Sequence, residues 1–393
     1  MKKRIPIIVV SAVLAFVFSV GIFCATIVFF VNNGVLIRFY KDSMDEKAET
    51  MILFEMENYV SDYSQYNTYT YYSKLNKHEK IVYHSFEYAL DNSLQYVLIC
   101  KKLNGKLTYS PEDILYFLSL DSPIVEQNLI NVTDSYKTHF KEPFDLFFKE
   151  QEGILVGISN FTEEKLDKKN EAIEKAEEIV ASVPTDYSEK KKVEYIYKKL
   201  GSTIKYITYE EEQDKNYLYD ALCDGKSNCD GFANAFSLVC NMANVNCVEK
   251  IYSPKNGEDG HTWNSFECDG KWYNADVSPY EDIKTMRAPF NLYLGFKDSV
   301  WPFEHLYSEL APACVDVFAE SYVFIQGEAL SQVASKIKKQ YEESKNYVIV
   351  IWSENMYPSD RYMNTLAEKM MVGFTYYGFT GGKEKMHCLY KFN

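Results

Sequence analysis

The stretch Asn-Cys-Asp-Gly-Phe-Ala-Asn-Ala-Phe at residues 228–236 decides how the middle of this 393-residue chain folds. It follows Gly-Lys-Ser-Asn at residues 225–228, which is rich in turn-forming residues. From Cys229 onward, apolar side chains recur at the spacing of a helix. These side chains are Phe232, Ala235, Phe236, Val239 and Met242. The pattern predicts a loop that ends at Asn228 and a helix that begins at Cys229.

A cysteine at the start of a helix is well placed to act as a nucleophile. The helix dipole and the free N–H groups of the first turn stabilise the thiolate, which is the reactive form of cysteine. The backbone N–H of Cys229 also lies where it can hold a developing oxyanion. The alternative interpretation of Cys229 is a buried structural cysteine. The choice between the two depends on which residues the fold brings beside the sulfur.

Two further motifs supply a histidine and a carboxylate. Gly-His-Thr-Trp-Asn occupies residues 260–264, and Gly-Lys-Trp-Tyr-Asn-Ala-Asp-Val occupies residues 270–277. Asp269-Gly270 is a favoured two-residue hairpin turn, so antiparallel strands are predicted on either side of it. Counted outward from this turn, His261 and Asp276 become approximate cross-strand neighbours. A carboxylate beside an imidazole fixes its tautomer and stabilises its cation, which completes a set of nucleophile, base and orienting acid.

Together these three motifs resemble those of the transglutaminase-like superfamily, over about residues 165–312. The resemblance implies an α+β fold with a papain-like core, in which the nucleophile lies at a helix N-terminus and the histidine and aspartate lie on antiparallel strands. It implies that the catalytic triad is Cys229, His261 and Asp276, and that no cofactor takes part. Cleft or oxyanion roles are predicted for Tyr219, Asn228 and Trp263.

The departures from the family pattern are small. Asp220 replaces a glycine in the Tyr-Asp-Ala-Leu stretch that begins at Tyr219, Ser278 stands where threonine is usual, and Tyr280 stands where tryptophan is common. None of these changes removes a catalytic group. No cluster of carboxylates suggests the calcium sites of the animal cross-linking enzymes, so neither calcium nor another metal is predicted.

The composition excludes some classes of protein. The net charge is −14 and no basic run occurs, which disfavours a nucleic-acid binder. The chain has nine cysteines but no Cys-x-x-Cys motif, and their spacing fits no zinc site. One reactive thiol among structural cysteines fits this pattern better. Spacing leaves open whether Cys240 or Cys247 pairs with Cys223 or Cys268.

The N-terminal segment is predicted to be a membrane anchor. Residues 5–31 carry no charge, and a helix of this length spans a hydrocarbon core of roughly 30 Å. The basic residues 2–4 before it predict a cytoplasmic N-terminus. A cleaved signal peptide, the alternative, would have a shorter apolar region and a small-residue cleavage site. The anchor predicts a single-pass protein of the cell membrane with the rest of the chain outside the cytoplasm.

Length and composition favour several domains. A transglutaminase-like core would then be flanked by an N-terminal α+β domain and a small C-terminal α/β domain, whose strands and helices alternate. The predicted boundaries are 1–4 for the cytoplasmic tail, 5–31 for the transmembrane helix, 32–65 for a stalk, 66–160 for the N-terminal domain, 161–314 for the catalytic domain and 315–393 for the C-terminal domain.

These observations predict a thiol enzyme that forms an acyl-enzyme at Cys229. Hydrolysis of peptide or protein amides is favoured, because no lysine channel or metal feature is visible in the sequence. Two alternatives stay open: a cross-linking acyltransferase, and a catalytically silent binding or assembly module with the same fold. The predicted partners are a peptide or protein substrate, for example at the cell surface or cell wall, and the membrane through the anchor.

Overall fold

A computed structural model gives the fold of most of the chain. It describes residues 37–38, 50–52, 59–91, 96–100, 107–125, 130–133, 153–158, 163–208, 217–254, 260–279, 293–318, 322–344, 347–356, 358–371, 374–379 and 383–391. The predicted cytoplasmic tail and anchor, residues 1–31, lie outside these ranges. Among the described residues, no helix combines the length and the apolar character that crossing a membrane requires.

The chain folds as two compact units. The first comprises residues 1–64, 75–118 and 127–161, and the second comprises residues 65–74, 119–126 and 162–393. The triad predicted from the sequence belongs entirely to the second unit.

The first unit contains a five-stranded sheet of order β1-β2-β3-β5-β4. Its strands are β1 (Ile37–Arg38), β2 (Thr50–Ile52), β3 (Tyr96–Cys100), β4 (Ile130–Thr133) and β5 (Gly153–Ile158), and the helices of this region are α1 (Lys77–Asp91) and α2 (Pro111–Asp121). The start of α1 is a capping box, because Asn76 Oδ1 accepts from the Glu79 N–H and Glu79 Oε2 accepts from the Asn76 N–H.

The sheet corrects one part of the sequence interpretation. Residues 37–38 and 50–52 lie within the predicted stalk, yet they form β1 and β2. Thr50 to Ile52 pair in parallel with Tyr96 to Leu98, more than forty residues further along the chain. Local residue spacing does not reveal pairing over such a separation, so these strands were not predicted.

The second unit contains the predicted catalytic core, a mixture of helices and an antiparallel sheet. Its helices are α3 (Glu163–Ala181), α4 (Glu189–Thr203), α5 (Tyr217–Leu222) and α6 (Cys229–Met242), and its strands are β6 (Lys205–Tyr206), β7 (Lys226–Ser227), β8 (Cys247–Tyr252), β9 (His261–Cys268), β10 (Lys271–Ala275) and β11 (Leu294–Phe296). The sheet order is β11-β10-β9-β8. The prediction that a helix begins at Cys229 is confirmed.

The hairpin between β9 and β10 turns at the predicted residues. Asp269 and Gly270 both have positive φ, at 50° and 72°, as a type I′ turn requires. The pairing of Asn264 with Ala275 fixes the register. Continued by one residue, this register puts Asp276 opposite Trp263, two residues beyond His261. His261 and Asp276 are therefore diagonal neighbours rather than a directly opposed pair.

The C-terminal part of the second unit is the alternating α/β layer that the sequence predicted. Its elements are β12 (Tyr322–Ile325), α7 (Leu330–Ser344), β13 (Tyr347–Trp352), α8 (Asp360–Met370), β14 (Phe374–Phe379) and β15 (Lys385–Lys391). The sheet order is β12-β13-β15-β14, with β12 and β13 parallel. One face of this sheet packs on α7 and α8 through side chains such as Val350 and Leu366.

The opposite face of the C-terminal sheet packs against the catalytic core. Ile349, Ile351 and Met386 form one buried cluster with Trp263 and Trp301. Trp263 is two residues from His261 on the same strand. The C-terminal layer therefore supports the strand that carries the predicted base.

Candidate active site

The nucleophile helix begins with a side-chain cap. Asn228 Oδ1 accepts hydrogen bonds from the N–H groups of Asp230 at 3.0 Å and Gly231 at 3.4 Å. Cys229 is the first residue of α6 and is only 1% exposed. Gly231 allows close packing here, because a Cβ at this position would lie 2.6 Å from the carbonyl oxygen of Tyr217. The cap and this close contact fix the position of the Cys229 backbone.

The predicted base and carboxylate form a direct hydrogen bond. His261 Nε2 lies 2.8 Å from Asp276 Oδ2. The other carboxylate oxygen accepts from the backbone N–H and the hydroxyl of Ser278, at 3.0 and 2.7 Å. The Asp276 backbone carbonyl accepts from the buried Tyr197 hydroxyl at 2.9 Å. These bonds hold the carboxylate in one orientation, and Ser278 supplies the hydroxyl at a position where the family usually has threonine.

The imidazole connects the carboxylate to the thiol. The side chains of His261 and Cys229 form a hydrogen bond. Because Nε2 faces Asp276, Nδ1 is the ring nitrogen left for the sulfur. The His261 side chain is 18% exposed, so part of the imidazole reaches solvent. Cys229 itself is buried. The structure therefore brings Cys229, His261 and Asp276 together as one hydrogen-bonded series.

The electrostatics of this series favour a protonated imidazole. Burial disfavours the cation, but the charge and hydrogen bond of Asp276, together with Cys229, raise the pKa of His261 to about 10. The pKa lies above the ordinary value of about 6.5. The stabilisation from the charged imidazole is therefore complete below about pH 6.5 and is lost as pH rises through about 10. An imidazolium in this position presents a positive charge and an N–H donor to the Cys229 sulfur.

Aromatic rings surround the imidazole. The ring centroids of Phe303, Trp301 and Trp263 lie 4.9, 5.9 and 6.2 Å from that of His261. Trp263 stacks nearly parallel to the imidazole, and its indole N–H donates to Asn274 Oδ1 at 3.3 Å. Trp263, predicted as a cleft or oxyanion residue, is thus a wall behind the base, with its N–H already bonded. The rings restrict the orientation of the imidazole and leave part of it exposed.

Two side chains of β9 fasten the base strand to the nucleophile helix. The Thr262 hydroxyl donates to Asp230 Oδ1 at 2.5 Å, and Asn264 Nδ2 donates to the Ala233 carbonyl at 3.0 Å. Thr262 follows the base and Asp230 follows the nucleophile, so this bond sets the spacing between the two. We did not predict it from the sequence. Strand alternation gave the only available signal, since Thr262 and Asn264 share the face opposite His261.

A further buried carboxylate lies beneath the same helix. Glu249 on β8 accepts from Asn234 Nδ2 at 2.7 Å and from the Ser237 hydroxyl at 3.2 Å. Burial, opposed by the Asn234 hydrogen bond and aided by the charge of Asp230, raises the pKa of Glu249 to about 8. Glu249 therefore keeps its proton at neutral pH, which limits charge repulsion with Asp230.

Tyr219, also predicted for the cleft or oxyanion, packs against α3. Its ring lies 5.6 Å from Lys168 Nζ, and its hydroxyl is hydrogen-bonded to Glu171. The charge of Glu171 and burial raise the pKa of Tyr219. These contacts place the side chain on α3 and give no support to an oxyanion role.

Six of the cysteines that the structure describes form no disulfide bond. They are Cys223, Cys229, Cys240, Cys247, Cys268 and Cys314. The pairings that spacing left open between Cys240 or Cys247 and Cys223 or Cys268 are therefore not formed. Burial and then the charges of Asp269 and Glu189 raise the pKa of Cys268 to about 12.

One group of possible metal ligands occurs among the described residues. Glu189, Cys268 and Asp269 bring one ligand atom each to within 4.8 Å of one another. Glu189 Oε2 accepts from the Asp269 N–H at 2.9 Å, so the hydrogen bond to the hairpin turn explains the position of this carboxylate. The thiol of Cys268 is protonated at neutral pH, which makes it a poor ligand. We assign no metal to this group.

Part of the chain matches known proteins. The family model described as the transglutaminase-like superfamily matches residues 173–277. The chain is 34% identical over 67 residues to a kyphoscoliosis peptidase of Mus musculus and 30% identical over 82 residues to that of Homo sapiens. These matches cover 14% and 18% of this chain, but only 10% and 12% of the two relatives.

A solved structure is also similar to this chain. The periplasmic domain of TgpA from Pseudomonas aeruginosa matches at 10% identity with a TM-score of 0.23, covering 39% of this chain and 66% of that one.

Proposed function

Since residues 173–277 form a domain of the transglutaminase-like superfamily, we propose that this chain is a thiol enzyme acting on amide bonds of peptides or proteins through an acyl-enzyme on Cys229. The observation that carries the proposal is the hydrogen-bonded series of Cys229, His261 and Asp276. A nucleophile, a base and an orienting carboxylate in this order are the parts that acyl transfer needs.

The first half of the reaction forms the acyl-enzyme. The Cys229 thiolate adds to the carbonyl carbon of the amide, and the electron pair of the C=O bond moves to the oxygen beside the Cys229 backbone N–H. The intermediate then collapses with cleavage of the C–N bond. The departing amine takes a proton from the His261 imidazolium, and a thioester remains on Cys229.

The second half regenerates the thiol. Water attacks the thioester carbon while neutral His261 accepts a proton from it, and the acid and the Cys229 thiolate are released. We favour hydrolysis because the curated relatives that the chain matches are named peptidases. The sequence also contains no recognisable site for an amine acceptor. An amine in place of water would make the same acyl-enzyme a cross-linking acyltransferase.

One observation favours the silent binding module as a second candidate. Cys229 is 1% exposed, so a substrate carbonyl reaches its sulfur only if the surroundings open. A permanently closed site would keep the triad geometry without turnover. The imidazole exposure of 18% favours the enzyme, because the base already reaches solvent.

The predicted anchor indicates where in the cell the reaction would take place. An uncharged segment at residues 5–31 preceded by basic residues would place the thiol-enzyme domain outside the cytoplasm, on the membrane. We therefore propose surface proteins or cell-wall peptides as the substrate class.

The reaction type is tested with casein and a biotinylated primary amine incubated together with the full chain. We expect new peptide termini that carry ¹⁸O when the reaction is run in labelled water, and no amine on casein. Incorporation of the amine would replace hydrolysis by acyl transfer. Absence of both products, with Cys229 still intact by mass spectrometry, would favour the binding module.

A further inference from the structure

The fold explains the position of the oxygen of the Asn228 side-chain amide but not that of the nitrogen. Its oxygen caps α6 by accepting from the N–H groups of Asp230 and Gly231. Its nitrogen, Nδ2, is buried, and no hydrogen-bond acceptor lies within reach of it among the described residues. Buried donors without an acceptor are rare in folded proteins, so each calls for an explanation.

The capping role does not account for the nitrogen. A cap needs only a side-chain acceptor, and serine or aspartate would cap this helix as well as asparagine does. Asparagine is the choice among these that adds an N–H donor next to the cap. The two bonds to the oxygen also fix the plane of the amide, and so they fix the position of Nδ2.

The position of this donor is next to the nucleophile. Asn228 directly precedes Cys229, and the two residues are 0% and 1% exposed. A carbonyl that reaches the sulfur therefore comes next to the residue that carries this unpartnered buried donor. When the sulfur adds to the carbonyl carbon, negative charge develops on the oxygen, and a fixed N–H donor in a water-poor site stabilises that charge strongly.

We propose that Asn228 is a catalytic residue whose Nδ2 donates a hydrogen bond to the oxyanion of the tetrahedral intermediate, together with the Cys229 backbone N–H. The proposal rests on the thiol-enzyme function proposed above. The donor takes no proton in the reaction. It binds the oxygen while the S–C bond forms, and it releases that oxygen when the C=O bond is restored and the C–N bond breaks.

Asn228→Ser separates the two halves of the amide, because serine keeps the capping oxygen and removes Nδ2. The variant is compared with wild type in casein hydrolysis and in alkylation of Cys229 by iodoacetamide. Alkylation displaces iodide from a saturated carbon and forms no oxyanion. We expect unchanged alkylation, unchanged thermal unfolding and a kcat lowered by about 100- to 1,000-fold. Asn228→Asp, which keeps the side-chain shape, is expected to lower kcat at least as much.

Three outcomes would overturn the proposal. Wild-type kcat in Asn228→Ser would exclude the donor role. An equal loss of alkylation and of kcat would assign Asn228 to the cap alone. The control for a purely structural loss is Tyr341→Phe. This substitution removes a buried hydrogen bond that the Tyr341 hydroxyl donates to the Leu389 carbonyl at 2.8 Å in the C-terminal layer. A wild-type chain that alkylates but never hydrolyses casein would contradict the proposed function itself, and the donor role with it.

Discussion

Replacing Cys229 with serine is expected to lower kcat for casein about a millionfold, the scale on which loss of a nucleophile disables a catalytic triad. A serine hydroxyl does not ionise beside the His261 imidazolium as a thiol does, so the reacting anion is lost. The imidazole and the carboxylate cannot compensate, because the three groups act as one unit. Casein hydrolysis by the purified full chain, measured at saturating substrate, gives the comparison.

Cys223→Ser is the matched control for this substitution. Cys223 is an exposed residue with a free thiol. Partial desolvation of its sulfur, together with the charges of Glu171 and Asp224, raises its pKa to about 11. Its thiolate is therefore scarce at neutral pH, and its removal is expected to leave turnover unchanged. Retained turnover in Cys229→Ser, or lost turnover in Cys223→Ser, would show that the nucleophile had been assigned to the wrong residue.

Asp276→Asn is expected to lower kcat about 10,000-fold. The asparagine amide keeps the shape of the carboxylate, but it can offer His261 Nε2 an N–H where the carboxylate offers an acceptor. That exchange favours the wrong tautomer of the imidazole and removes the charge that raises its pKa. The alkaline limb of the pH profile is therefore expected to move from near pH 10 to lower pH.

A surface aspartate provides the control for Asp276. Asp316 pairs with the exposed Lys271 ammonium at 2.9 Å, and pairs of this kind contribute little to stability. Asp316→Asn should keep both the turnover and the pH profile of the wild type. An Asp276→Asn variant with wild-type turnover would mean that the hydrogen bond to His261 has no catalytic role.

The local parts of the site could be predicted from the sequence because short-range chemistry determines them. The helix start at Cys229 follows from the turn-rich loop, the capping side chain of Asn228 and the helical spacing after it. The hairpin follows from Asp269-Gly270, which tolerates two consecutive positive φ angles. Both elements bring their residues to fixed positions, which is why the three motifs sufficed to predict that Cys229, His261 and Asp276 lie together.

The surroundings of the triad could not be predicted, because distant segments build them. Phe303 and Trp301 reach the imidazole from a loop that follows β11, and no local pattern marks them as neighbours of His261. The same holds for Ile349 and Ile351, which support the base strand from the C-terminal layer. The count from Asp269-Gly270 put His261 and Asp276 approximately opposite each other, and the register makes them diagonal neighbours.

We propose that His261 holds Cys229 as a thiolate. The most direct measurement is alkylation of the full chain by iodoacetamide from about pH 5 to about pH 10, with the Cys229 peptide quantified by mass spectrometry in wild type and in His261→Ala. We predict that wild-type Cys229 reacts well below pH 8 and faster than Cys223, and that His261→Ala loses this low-pH reactivity. Inert Cys229 in the wild type, or equal reactivity with and without His261, would contradict the thiolate–imidazolium pair and leave the binding module as the better account.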